Sequence, residues 1–170
     1  MLSFVVPAVA CLAPVRAPAQ DAPVRAAMAS LVAALDGAGA ADAARLRDAW
    51  RAAHDGRAER RLGEAWASLR LAELDGGPGP LGDARRALDD LARDHPDWPW
   101  ARFGLARAAL LTYRAGHAVP VNYGPRPGGV HFEAYADLMH ALLRREPGFA
   151  PARDFLLGAM ADEWELEQPA

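Results

Sequence analysis

The chain has 170 residues, 52% of them hydrophobic, 24% charged and 8% aromatic, the profile of one globular domain. A chain of this size buries roughly 70% of its unfolded surface; it needs neither a metal nor disulfides to hold a core, and its single Cys11 cannot close an intramolecular bridge. A net charge of −3 and a pI near 5.9 leave no electrostatic footprint for nucleic acid or an anionic membrane surface.

Residues Leu2 to Val15 form an apolar stretch broken by Pro7 and Pro14 and followed by Ala17-Pro18-Ala19 and the polar Gln20-Asp21. A short apolar region ending in an A-x-A pattern predicts a secretion signal over residues 1–19, removed after Ala19, and hence an exported, periplasmic or extracellular protein. The run is too short to span a bilayer, which takes about 20 apolar residues. Ala8-Val9-Ala10-Cys11 loosely resembles a lipobox without its usual Leu, so a lipid anchor at Cys11 is one alternative, and a disordered apolar tail on a cytoplasmic protein is the other.

From residue 21 the apolar spacing is helical and predicts about seven helices. The first opens at Asp21 with Pro23 just inside, carries Val24, Met28, Leu31 and Leu35 on one face, and stops at Gly37. The second runs from near Asp42 to Gly56 with Leu46, Ala49, Trp50 and Ala53, forming with the first a hairpin over 20–56. The third starts near Ala58, stripes Leu62, Ala65, Trp66 and Leu69, and breaks at Asp75-Gly76-Gly77-Pro78. The fourth begins at Asp83, turns Ala84, Ala87, Leu88 and Leu91 inward, and ends at His95-Pro96. The fifth enters through Asp97 and Pro99, carries Phe103, Ala106, Leu110 and Leu111, and fades at Gly116. After a Pro/Gly-rich insertion over 116–130, the sixth takes Phe132, Tyr135, Met139 and Leu142 up to Pro147. The seventh starts at Pro151 with Phe155, Leu156, Ala159 and Met160 and dissolves into Asp162–Glu167. With 40 Ala, one Thr and no Ile, the composition points the same way, to an all-α fold.

Laid over a period of about 34 residues, the helices fall into similar pairs. Trp66, Leu69 and Glu73 stand at the large, leucine and aromatic positions of a first helix, with Arg70 where Gly is usual; Ala84, Leu88, Leu91 and Pro96 follow through the second. Leu105-Ala106, Ala109 and Pro147 repeat the pattern, and Ala150-Pro151-Ala152 starts a third unit leading to Leu156-Leu157. Leu142-Leu143-Arg144-Arg145-Glu146-Pro147-Gly148-Phe149-Ala150-Pro151-Ala152 and His95-Pro96-Asp97-Trp98-Pro99-Trp100-Ala101 read as two copies of one junction, Pro96 and Pro147 lying 51 residues apart. Over Leu62 to Glu165 the chain resembles a divergent tetratricopeptide (TPR)-like repeat protein of bacterial exported type. The resemblance implies a short solenoid of antiparallel helix pairs over 57–170, with a groove that takes a peptide or a partner's helix and with no chemistry or cofactor of its own. An irregular α-bundle using the same residues as core is the alternative.

No catalytic constellation competes with that reading. Gly77-Pro78-Gly79-Pro80-Leu81-Gly82 matches G-x-G-x-x-G, but it follows a helix, and two of its positions are prolines with no N–H to offer a phosphate, so it is read as a turn. His131 and His140 fall about half a turn apart on a helix and point apart, and no H-E-x-x-H, C-x-x-C or calcium loop is present. Ser30, Ser68 and Thr112 lie in no nucleophile elbow, and Asp89-Asp90 and Asp162-Glu163 read as solvated carboxylates.

In the repeat frame the fifth helix presents Trp100, Phe103 and Arg107 to a groove lined by helices three, five and seven, with Arg114 further along and Tyr123 on the insertion at one end. Trp and Arg most often anchor interfaces; the same Trp100 and Phe103 would otherwise pack as core against helices three and seven. The expectation is a non-catalytic adaptor for a protein or peptide. Two others stand beside it: a small metal-dependent hydrolase with a site around His117, His131 and Glu133, and the N-terminal module of a longer protein.

Overall fold

The computed structural model describes residues 22–75, 78–114 and 132–167. The expected leader, Asp21, and the insertion with His117, Tyr123 and His131 lie outside them. Seven helices make up the described residues, with no strand among them: α1 (Ala22–Asp36), α2 (Ala40–Ala53), α3 (Arg57–Asp75), α4 (Pro78–Asp94), α5 (Pro99–Arg114), α6 (Phe132–Arg145) and α7 (Ala150–Glu167). The all-α class and the number of helices are as the periodicity predicts.

The boundaries follow from local chemistry. The buried stripe of α1 is Met28, Leu31, Val32 and Leu35, and the helix closes with Ala38 N–H donating to the Leu35 carbonyl. A Gly37-Ala38-Gly39 link follows, and α2 starts directly behind Gly39, whose extended backbone supplies the cap, so that Asp42 lies in the first turn rather than at the helix start. The start of α4 corrects the sequence reading: the helix begins at Pro78, five residues before Asp83, so the segment taken for a turn is largely helical. Pro78 and Pro80 occupy the first turn, where backbone N–H groups have no intrahelical partner and a proline loses nothing.

Each helix packs on the next, and two further pairings, α1 with α3 and α3 with α5, join alternate helices. The core therefore runs along α3 and α5. The latter is buried almost all round, from Trp100 and Ala101 through Phe103, Gly104, Ala106 and Ala108 to Leu110 and Thr112, as a central helix must be.

Two glycines permit the closest approaches. The Trp50 indole of α2 lies over Gly63 of α3 and donates from Nε1 to the Glu59 carbonyl at 2.9 Å; a Cβ on Gly63 would stand 2.2 Å from that nitrogen. At Gly104 a Cβ would meet Leu88 of α4 at 2.8 Å and Trp66 of α3 at 3.2 Å. Helix propensity favours Ala over Gly by about 1 kcal/mol, while overpacking costs typically 1–3 kcal/mol. Gly63→Ala is thus expected to lower stability by about 1–2 kcal/mol in urea melts. Gly158→Ala on α7, with open space around it, is expected to raise stability slightly.

Candidate functional site

The aromatic residues of α3, α5 and the last helix pair meet in one cluster. Trp66 packs edge-on against Trp100 at 5.9 Å between ring centroids and tilts against Phe103 at 5.4 Å. Phe149, at the entry to α7, meets the edges of Trp100 at 4.9 Å and Phe103 at 5.8 Å, and Phe155 meets Phe103 at 5.6 Å. These edge-to-face geometries let the positive rim of one ring meet the negative face of another. Each indole N–H has an acceptor: Trp66 Nε1 donates to the Trp100 carbonyl and Trp100 Nε1 donates across to the Arg25 carbonyl of α1, both at 3.2 Å.

Above this cluster a ring of charged groups closes around the C-terminal end of α1. Arg107 of α5 donates from Nη1 to Asp36 at 2.8 Å and from Nη2 to Glu73 of α3 at 2.7 Å. Glu73 also accepts from Arg70 Nη1 at 3.0 Å, and Arg70 Nε donates to the Ala38 carbonyl at 2.9 Å. Helix α1 has no basic residue in its own last turn, so α3 and α5 supply the cations that its negative helix end attracts. The Arg107 guanidinium lies 5.3 Å from the Trp66 ring centroid and 4.8 Å from that of Phe155, within cation–π range of both. Its residue exposure is only 8%, and its Nε is buried without an acceptor. Burial alone would lower the Arg107 pKa; the carboxylates of Glu73 and Asp36 outweigh that and hold it above the ordinary value, so the group stays charged throughout the accessible pH range.

Of the expected groove residues, Trp100 and Phe103 are 3% and 2% exposed. They pack against α3 and α7, the core placement that the sequence offered as the alternative to a groove. Arg107 is likewise withdrawn into its ion pairs. Arg114 is exposed at the end of α5, close enough to Tyr135 to pull down its pKa, and Tyr123 lies outside the described residues. Asp36 was not singled out from the sequence, and Glu73 was placed only in the repeat frame, although spacing carried a signal: Glu73 precedes Arg107, and Trp66 precedes Trp100, by the same 34 residues. Among the described residues no three His, Cys, Asp or Glu side chains come together as a metal site, and no helix is long and apolar enough to cross a membrane.

No family model, no curated protein and no solved structure matches the chain.

Glu73 is 16% exposed and Asp36 55%, so the two acids respond differently to loss of Arg107. Removing one partner of a buried pair costs about 3–5 kcal/mol, whereas half-exposed pairs are worth at most about 1 kcal/mol. Arg107→Ala is expected to cost about 3 kcal/mol and Asp36→Ala about 1 kcal/mol, with the Arg107/Glu73 double variant less destabilised than the sum of its singles in denaturant melts. Tyr135 supplies a pH test. Burial pushes its phenol up to about 12 against the opposing pull of Arg114 and Arg107, so folding favours the neutral form. That contribution is complete below the unfolded pKa near 10 and is lost as pH rises toward 12, roughly 2 kcal/mol in all. Stability measured between pH 9 and 11.5 should fall more steeply for the wild-type chain than for Tyr135→Phe.

Proposed function

We propose that the chain is a non-catalytic helical-repeat scaffold that binds a protein or peptide helix along the face built from its odd-numbered helices. The observation that carries this reading is a repeated junction. His95 N–H donates to the Leu91 carbonyl, Trp98 N–H to the His95 carbonyl and Arg102 N–H to the Trp98 carbonyl. Exactly 51 positions on, Glu146, Phe149 and Arg153 make the same three bonds to Leu142, Glu146 and Phe149.

The equivalence extends into the helices. Leu88 and Leu91 correspond to Met139 and Leu142, and Ala101 and Ala108 to Ala152 and Ala159, all of them buried. A shorter register links α3 to α5, where Trp66 touches Trp100 and Glu73 pairs with Arg107, each 34 residues apart. Like positions on successive first helices meet in this way in stacked helix pairs. Such stacks serve as binding surfaces through the face where their first helices adjoin, and the contacts of α1 with α3 and of α3 with α5 support that reading here.

The test is affinity capture with residues 20–170 from extract of the source organism, followed by hydrogen exchange of the purified complex. Added protection concentrated on α3, α5 and α7 is the expected result. Protection confined to α2, α4 and α6 would sink the proposal.

A further inference from the structure

The face assigned to a partner helix already holds one. Helix α1 runs beside α3, and it also reaches α5 and the α6–α7 junction: the Arg25 carbonyl accepts from Trp100 Nε1, the Arg25 guanidinium pairs with Glu146 at 3.1 Å, and Asp36 at the other end pairs with Arg107. Between these ends Met28, Leu31, Val32 and Leu35 are buried. We propose that α1 is a resident ligand of the groove, and that the protein takes a partner by exchanging α1 for an amphipathic helix of the same pattern.

That pattern is specific. Four apolar residues at the spacing of Met28, Leu31, Val32 and Leu35 fill the seat, an acidic residue directly after the last of them meets Arg107, and a basic residue three positions before the first meets Glu146. The bond from Trp100 ends on a backbone carbonyl of α1, that of Arg25, which any helix can offer, while Arg70 donates to the Ala38 carbonyl of the link behind the helix. The charged ends discriminate: a helix without the acid would leave Arg107 and Arg70 sharing the single carboxylate of Glu73, a net positive charge at a buried site. The link has open glycines, Gly37 and Gly39, on either side of one anchored residue, Ala38, which is buried and whose carbonyl accepts from Arg70. The main packing neighbour of α1 is α3 rather than the helix it is joined to.

This inference rests on the scaffold reading, and its test is separable from it. A protease site inserted between Gly39 and Ala40 of the full chain lets α1 be cut from its tether after folding. The probe is a fluorescent peptide of residues 22–39, read by anisotropy. The cut chain should keep its helicity and bind the peptide by exchange, at least tenfold more tightly than the uncut chain, whose groove is occupied in cis. An Asp36→Ala peptide should bind about fivefold more weakly. An Arg25→Glu peptide should weaken about threefold and recover on a Glu146→Arg chain.

Several results would overturn the proposal: loss of helicity on cutting that the peptide does not restore, absence of exchange, or binding to cut and uncut chains alike without sensitivity to Asp36 or Glu146. A concentration-dependent dimer of the uncut chain would assign the groove to a second copy's α1 and overturn it as well. If the peptide exchanges as expected while captured proteins protect only the even-numbered helices, the resident helix stands and the scaffold reading falls.

Discussion

A guanidinium enclosed among aromatic rings must keep its carboxylates, and in this chain that requirement sets three helices in register. Arg107 draws Asp36 from α1 and Glu73 from α3 to one point on α5. Glu73 then recruits Arg70, whose Nε returns to the Ala38 carbonyl. The ring therefore starts and finishes on the end of α1. Apolar packing alone tolerates a slip of one helix along another, since one alanine-rich surface resembles the next. A closed circuit of directional bonds does not, and each member that shifts leaves a buried charge unmatched. Two glycines complement this on α3 and α5, by admitting Trp50 and Leu88 to distances that a methyl group would forbid.

The same circuit separates α1 from an ordinary first helix of a stack. A terminal helix held by apolar contact alone would fit its seat with any similar stripe. Here the ends of the seat carry opposite demands, an anion at Arg107 and a cation at Glu146, so that orientation and length are specified along with hydrophobicity. Between those ends lies the aromatic cluster, whose rings are spent on one another and on Trp66 and Trp100 hydrogen bonds to backbone. Affinity for a helix would then come from the apolar seat, and selectivity from its two poles.

The helices were legible because their apolar stripes recur with a period near 3.6 and because glycine and proline punctuate them; the stripe of α1 and the stop of α6 before Pro147 were both readable. The start of α4 was not, since Pro78 and Pro80 signal a turn and the first turn of a helix equally well, and only the burial of Leu81 decides between them. The likeness of the two junctions could be read from residues alone, and the backbone bonds repeat it. The direction in which Trp100 and Phe103 face could not. On a helix buried all round, every face has an apolar stripe, so periodicity loses its power to separate inside from outside. Charge partners were equally hidden, because Asp36 and Arg107 lie 71 residues apart and chain proximity carries no trace of their meeting.

The offset of 51 residues also measures what the two ends of the molecule owe their neighbours. Leu157 and Met160 of α7 stand where α5 has Ala106 and Ala109; the alanines are buried and the larger side chains are exposed. Helix α7 takes its burial chiefly from α6 and from the rings at its own entry, whereas α5 is enclosed on every side. Burial is thus graded between these two helices. Opening α7 locally would newly expose less apolar surface than opening α5, since Leu157 and Met160 already face solvent.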